Sequence, residues 1–257
     1  MAEKFLYDVF LQKLEADRQE ALAYKQNLLP DAYYSYQRIG AGSTREKTLA
    51  MLRRERIEAC RLEGCHEKQI ALYGVPDQLS LWEHNADKHR GICLEYAVRE
   101  NQKDLIYPIE YRAGRPKYTK WESMSKDQVQ FCRQIEQSAL IRNSMQKDEK
   151  EYRIVMGEPM QQASRNRVVY NAAWLNLKLS RIFLGIEIAN KDREVLLQIA
   201  HEINERRIKE AMKSLHRDQA YAFCTLYCME QLVTVWDMYL DDKNRLKSRR
   251  IPIEIKL

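Results

Sequence analysis

The chain has 257 residues, 45% of them hydrophobic and 31% charged, so it can bury a sizeable core and is too apolar for an intrinsically disordered protein. No apolar run approaches the roughly 20 residues that cross a bilayer, the opening Met1-Ala2-Glu3-Lys4 is charged at once, and six cysteines are too dilute for a disulfide framework, which predicts a cytoplasmic protein with reduced thiols and no membrane contact. A formal charge of +6, from 43 basic and 37 acidic residues well mixed along the chain, permits contact with nucleic acid or nucleotide phosphates without requiring it.

Phe5, Leu6, Val9, Phe10 and Leu14 recur at helical spacing and predict an amphipathic N-terminal helix within residues 1–29. Pro30 ends it and opens a single domain over residues 30–257. A tyrosine-rich strand is predicted over Tyr33–Tyr36, then a turn at Gly40-Ala41-Gly42. Ser43 and Glu46 stand at capping-box spacing before a helix carrying Leu49 and Leu52. Ile70–Tyr73 reads as a strand that ends at Gly74-Val75-Pro76-Asp77. Ser80 and Glu83 repeat the capping-box spacing, which predicts a helix from Leu81 to about His89 with Gly91 as its stop.

Ile92–Val98 alternates as a half-buried strand does, and Leu105–Tyr111 reads as its neighbour, with Pro108 marking an edge or a bulge. A helical pattern covers Ser125–Ile141. Strands are predicted at Glu151–Met156, Val168–Tyr170 and Ile182–Leu184, followed by a long helix capped by Asn190, with Leu196, Ile199 and Ile203 on one stripe. The tail carries an apolar stretch to Val235, a basic segment over residues 243–250 and a strand at Ile251–Ile255. Strands and helices mix without strict alternation, so the expected fold class is α+β, a mixed central sheet with peripheral helices.

Fifteen tyrosines beside five phenylalanines predict hydroxyls lining a surface, groove or pocket, because a buried tyrosine needs a partner for its hydroxyl. On the helix near Trp82, His84 shares a face with Asp87 and Lys88, while Trp82, Asn85 and His89 lie on another. Two readings stand side by side. In one, Trp82 is buried, His84 pairs with Asp87 and His89 is a favourable cation at the helix end. In the other, the histidines line a polar pocket suited to phosphate or nucleotide.

Glu149, Glu151 and Arg153, two apart on a strand, would line one face. On a solvated edge they are only polar; in a pocket, two close carboxylates raise one another's pKa, or one pairs with Arg153 while the other stays free. Cys60-x4-Cys65-His66 and Cys224-x3-Cys228 lack zinc spacing, so no metal is expected. Gly-x-Gly-x-x-Gly, the phosphate-loop motif and Gly-x-Ser-x-Gly are all missing from the sequence.

The run Trp82-Glu83-His84-Asn85-Ala86-Asp87-Lys88-His89-Arg90-Gly91 leading into Cys93-Leu94-Glu95-Tyr96 resembles the hallmark of the bacterial domain-of-unknown-function family 2971, a Trp-x-His-Tyr-Ala-Asp-x-His-x-Gly helix entering a Cys-Leu-Glu-Tyr-like strand. Tyr34-Ser35-Tyr36-Gln37-Arg38, Pro108-Ile109-Glu110-Tyr111, Glu149-Lys150-Glu151-Tyr152-Arg153 and Ile182-Phe183-Leu184-Gly185 are similar to further pieces of that family, in the same order. The chain departs from the pattern at Asn85 and Gln146, which stand where a tyrosine and a tryptophan are usual, and it lacks a Phe-Asn-Asp-Pro segment.

The family's layout is in turn similar to ADP-ribosyltransferase-like split sheets. That resemblance implies NAD or a related nucleotide as ligand and a role in a prokaryotic conflict or accessory system, such as defence, toxin or prophage functions, with a protein or nucleic acid as possible target. It implies catalytic roles for Glu151, with Glu149 as helper, and for His84. Tyr34, Tyr36, Arg38, Trp82, His89 and Arg153 would hold the cofactor. The alternatives from other classes are a non-catalytic binding or decoy protein derived from the family, and a nucleic-acid-binding factor or nuclease that uses the histidines with Asp87 or the basic tail at Arg249 and Arg250.

Overall fold

The computed structural model of the chain describes residues 30–61, 68–98, 106–113, 139–156, 167–175, 177–214 and 232–253. The expected N-terminal helix lies outside these residues, as does nearly all of the helix expected over Ser125–Ile141, whose last residue opens a strand instead. Among the described residues, a mixed central sheet carries peripheral helices, an α+β architecture.

Chain order gives β1 (Ala32–Gln37), α1 (Gly42–Arg53), β2 (Arg56–Arg61), β3 (Lys68–Tyr73), α2 (Leu79–Asn85), β4 (Ile92–Val98), β5 (Tyr107–Pro108), β6 (Glu110–Arg112), β7 (Ile141–Asn143), β8 (Glu151–Met156), β9 (Arg167–Asn171), β10 (Leu177–Leu184), α3 (Asn190–Ser214), β11 (Thr234–Leu240) and β12 (Leu246–Ile251). Ten strands form one sheet along the order β12-β11-β10-β4-β1-β3-β2-β9, with β8 on the other edge of β3 and β5 beyond β8. A separate parallel pair, β6 and β7, stands beside it. In the large sheet, β10 and β11 run parallel across the connection that contains α3, and the other pairings are antiparallel.

The sheet forks at β3. One edge of β3 is covered along its length by β8. The other is shared: its first residues pair with β2, and its last, Tyr73, pairs with Tyr34 of β1. The β1–β4 pairing runs on from there through six residue pairs.

Each face of the sheet buries its own apolar cluster. Tyr33, Leu49, Ile70, Leu72, Leu94, Tyr96, Leu196, Ile199 and Ile203 belong to the cluster under α1 and α3. Tyr36, Tyr73, Leu81, Trp82, Cys93 and Phe183 belong to the cluster under α2. The alternation of β4 predicted a half-buried strand, but both of its faces are covered because it sits centrally with a cluster on each side. α1 and α3 are bolted together by ion pairs: Arg45 with Asp192, and Arg53 with Glu202 at 2.5 Å. Glu55, just past α1, takes both Arg206 and Arg207 of α3.

Several expectations are corrected. Both capping boxes fail: the N-cap residues are Ala41 and Gln78, neither making a side-chain cap bond, so each serine lies inside its first turn. The α2 helix stops at Asn85, short of His89. Asp87, Lys88 and His89 then take left-handed backbone, with φ of 51°, 54° and 63°. Such a run costs about 1–2 kcal/mol per non-glycine residue, and here it is held by backbone bonds from Lys88 to Glu83 (3.1 Å), from His89 to Trp82 (3.2 Å) and from Gly91 to Ala86 (2.8 Å). Among the described residues the last strand is Leu246–Ile251, so the basic run is itself largely an edge strand; Pro252 and Ile253 of the expected Ile251–Ile255 strand lie past its end, and the rest of that strand is outside the described residues. β2 was not foreseen. Pro108 lies, as expected, in an edge strand, but the Leu105–Tyr111 stretch does not neighbour β4: β5 pairs with β8 and β6 with β7, while β4 lies between β1 and β10.

The left-handed run brings backbone against backbone at two glycines. A Cβ on Gly91 would lie 2.2 Å from the carbonyl oxygen of Gln37, and one on Gly185 would lie 2.0 Å from that of His89. Neither neighbour is a flexible side chain. Gly185→Ala is therefore expected to lower stability by about 1–3 kcal/mol or more, read as a fall in the urea midpoint.

Candidate functional site

Glu151 opens β8 and pairs directly with Tyr73 at the end of β3, so both side chains leave the sheet on the face that carries α2. Glu151 is buried, and so is Arg153 two residues on, whose Nε donates to Glu151 Oε1 at 2.7 Å. Arg153 Nη1 donates to the carbonyl of Ala139 at 2.8 Å. The other oxygen, Glu151 Oε2, lies 3.0 Å from Arg142 Nη1 without the alignment of a hydrogen bond. Tyr111 accepts the Glu151 backbone N–H at 2.9 Å.

Glu149 is not on the strand, as its spacing from Glu151 had suggested. It ends a 3-10 turn (Ser144–Glu149), and Lys150 reverses the chain with φ of 48° before β8 begins. The two carboxylates are nevertheless joined, because Arg142 Nη1 reaches Glu149 at 3.0 Å as well as Glu151. Their environments differ: the Glu149 side chain keeps 21% of its surface and that of Glu151 keeps 1%. Burial pushes the Glu149 carboxyl above its ordinary range, and the Glu151 charge adds to this, while Arg142, His84 and Arg153 pull it down.

Tyr73 accepts a hydrogen bond from Asn85 Nδ2 at 2.8 Å. Burial, then the charges of Glu151 and Glu149, push its phenol up, so it stays protonated and able to donate. His84 is exposed, close enough for its charge to act on Glu149, and its Nδ1 lies 2.7 Å from the Ser80 carbonyl. The pairing of His84 with Asp87 expected from helical spacing does not form, since the helix has ended; Asp87 instead meets Arg90 at 3.1 Å.

The remaining candidates are dispersed. Arg38 donates to the His84 carbonyl at 2.7 Å, closing the end of α2. Tyr36 is buried, donates to the Val75 carbonyl at 2.9 Å and meets Trp82 edge-on. Trp82 is fully buried, its Nε1 donating to Pro76 at 2.7 Å, so it supports the site and offers no surface to a ligand. His89 stacks on Trp82, and its Nδ1 is buried without a partner. Tyr34 stands half-buried across from Tyr73, one strand removed from the carboxylates.

Glu149, Glu151, Arg153 and His84 thus form one polar cluster. Arg142, Tyr73, Asn85 and Tyr111 complete it, and sequence reading missed all four as site residues. Arg142 and Tyr111 come from the separate strand pair β6–β7, whose position beside β8 no local pattern announces. Of Tyr73 the sequence shows only that it ends a predicted strand; its place beside Glu151 comes from the pairing of β3 with β8. Among the described residues no three His, Cys, Asp or Glu side chains gather as a metal site, and no helix is long and apolar enough to cross a membrane. No protein-family model, curated protein or solved structure matches the chain.

Removing the Glu151 carboxylate would strand the Arg153 cation inside the protein, a loss of about 3–5 kcal/mol. Glu151→Ala is expected to show this as a large fall in the urea midpoint with or without ligand. Glu149 behaves in the opposite sense. Its folded pKa is raised, so its contribution to stability is full below the ordinary value of 4.5 and lost as pH climbs through the raised value. Glu149→Gln is therefore expected to be more stable than wild type near pH 7, with the difference vanishing near pH 4, as read by urea unfolding at the two pH values.

Proposed function

We propose that the chain is an ADP-ribosyltransferase-like protein of a prokaryotic conflict or accessory system that takes NAD or a related nucleotide at the Glu149–Arg142–Tyr73 cluster. The observation that carries this reading is a half-buried carboxylate of raised pKa, Glu149, joined through one arginine to a second carboxylate and facing a protonated tyrosine. The fork of the sheet at Tyr34 and Tyr73 supports the split-sheet resemblance, and the glutamate pair supports the likeness to a late Glu-x-Glu strand.

The roles of the two glutamates exchange relative to the sequence expectation. Glu151 is enclosed by arginines, so it holds Arg142 and β8 in place. Glu149 is the carboxylate that a ligand reaches. A transferase of NAD needs an anion to hold a ribose hydroxyl and to stabilise the positive charge that grows on the sugar as nicotinamide leaves. Glu149 suits that task when ionised, and Arg142 holds it in position while offering charge to a phosphate. Tyr73 donates, and Tyr34 supplies an aromatic wall. The residues present fit the ligand: an anion for ribose, a cation for phosphate and a ring for a base.

A second reading, a non-catalytic binding or decoy module, is favoured by one observation. Arg153 is buried, with Nε given to Glu151 and Nη1 to the Ala139 carbonyl, and so is not placed to serve a phosphate. Calorimetric titration of NAD into the intact chain, with nicotinamide release followed by chromatography, separates the two. Binding with release is expected for wild type, and Glu149→Gln is expected to weaken binding by about ten- to a hundredfold, the worth of a charge-assisted hydrogen bond. Binding without release supports the decoy. No heat and no release from the folded wild type would end the transferase reading.

A further inference from the structure

Tyr73 and Glu151 are the first two members of a longer row. Tyr73 pairs with Tyr34, Tyr34 with Glu95, and Glu95 with Arg181, so Glu151, Tyr73, Tyr34, Glu95 and Arg181 lie at one level across β8, β3, β1, β4 and β10. Directly opposed residues share a face, which here is the face of α2. Four strand spacings separate the ends of the row, about 19 Å.

The far end of the row is built as carefully as the near end. Glu95 is buried in the middle of the sheet, a poor place for a lone charge. It is held by Ser180 Oγ, which donates at 2.7 Å, by Arg181 Nε at 3.3 Å and by the hydroxyl of Tyr34. A register shift between Leu179 and Arg181 bends β10 at this point. The Arg181 side chain is 46% exposed, and its guanidinium lies over the Trp236 ring, 5.2 Å from the centroid. Tyr34, Phe183 and Trp236 follow one another with ring centroids 6.1 and 6.3 Å apart. The Glu149 cluster uses none of these groups except Tyr34.

We infer that Arg181, anchored by Glu95 and backed by Trp236, forms a second subsite that takes the phosphorylated purine-nucleoside half of a dinucleotide whose other half lies at Glu149. A flat guanidinium supported from below by an indole gives a base a plane to stack on. Its Nη groups have no partner among the described residues beyond the Glu95 contact, so they remain to donate to a phosphate or a ribose. Glu95 prevents the arginine from swinging away, and half-buried Tyr34, on β1 between the two ends, offers the ligand an aromatic surface. The row from Glu151, the neighbour of Glu149 through Arg142, to Arg181 is about 19 Å long, a length that suits an extended two-nucleotide ligand and exceeds a single nucleotide. This inference rests on the reading of Glu149 as the reacting end.

Adenosine monophosphate and nicotinamide mononucleotide, titrated separately by calorimetry, probe the two ends. Wild type is expected to bind both. Arg181→Ala, whose folding is checked by its urea midpoint because it takes a partner from buried Glu95, is expected to weaken adenosine monophosphate about tenfold or more and to leave nicotinamide mononucleotide unchanged; Glu149→Gln is expected to do the reverse. Arg181→Lys keeps the charge and loses the plane, so it is expected to recover less than half of the lost binding energy. Equal affinity of wild type and Arg181→Ala for adenosine monophosphate overturns the subsite, as does no binding to wild type. If the mononucleotide and NAD still depend on Glu149 in that case, the transferase reading survives alone. Dependence on Arg181 with no dependence on Glu149 leaves the nucleotide subsite standing and removes the reacting end.

Discussion

Tyr34 and Tyr73 meet where β1 touches β3, a junction one residue pair long in a sheet of ten strands. On one side of it, β1 continues into β4, β10 and β11; on the other, β3 carries β8 and β2. Because facing residues on neighbouring strands must point the same way, this single pairing sets the register between the glutamates of one half and the Glu95–Arg181 pair of the other. A slip of one residue would send Tyr34 into the α1–α3 core and break the row in the middle. The tyrosines that secure the junction are packed from above by Tyr36, Trp82 and α2, so the junction and the ceiling of the site are one structure.

Burial decides which acidic groups are available for chemistry. Glu95 and Glu151 are enclosed, and each is matched by an arginine, so their charges organise neighbours. Glu149, two residues from Glu151 in sequence, is displaced onto a turn, keeps contact with water and is only partly compensated. The left-handed turn of Lys150 makes the difference, for it takes Glu149 off the strand line while leaving it within reach of Arg142. Asn85, a departure from the tyrosine of the resembling pattern, has a clear local use here in donating to Tyr73.

Much of the sheet was legible because its strands carry long apolar and aromatic runs: the Tyr33–Tyr36, Ile70–Tyr73, Ile92–Val98 and Glu151–Met156 segments all form strands. β2 was not, since Arg56-Ile57-Glu58-Ala59-Cys60-Arg61 sits on an outer part of the sheet where only one face needs to be apolar. The helix ends were misread for a definite reason. Serine-to-glutamate spacing marks a capping box only if the serine is outside the helix, and tertiary packing of Leu81 and Trp82 starts α2 earlier than that. Of the candidate site, the carboxylate pair and His84 were visible as charged residues in otherwise patterned segments. Arg142, Glu95 and Arg181 were not, because their meaning comes from strand pairings between residues dozens of positions apart.

The basic run near the C-terminus acquires a different meaning from its place in the fold. Lys247, Arg249 and Arg250 lie on β12, which pairs only with β11 among the described residues and forms the border of the sheet. A border strand exposes a row of unmatched peptide groups, an invitation for a second molecule to add itself. Cations along that border make such an approach repulsive between identical chains, and Arg249, lying over Tyr239, masks an exposed ring at the same place. Whatever else these cations meet, like charges along an unpaired border disfavour edge-to-edge joining of identical chains.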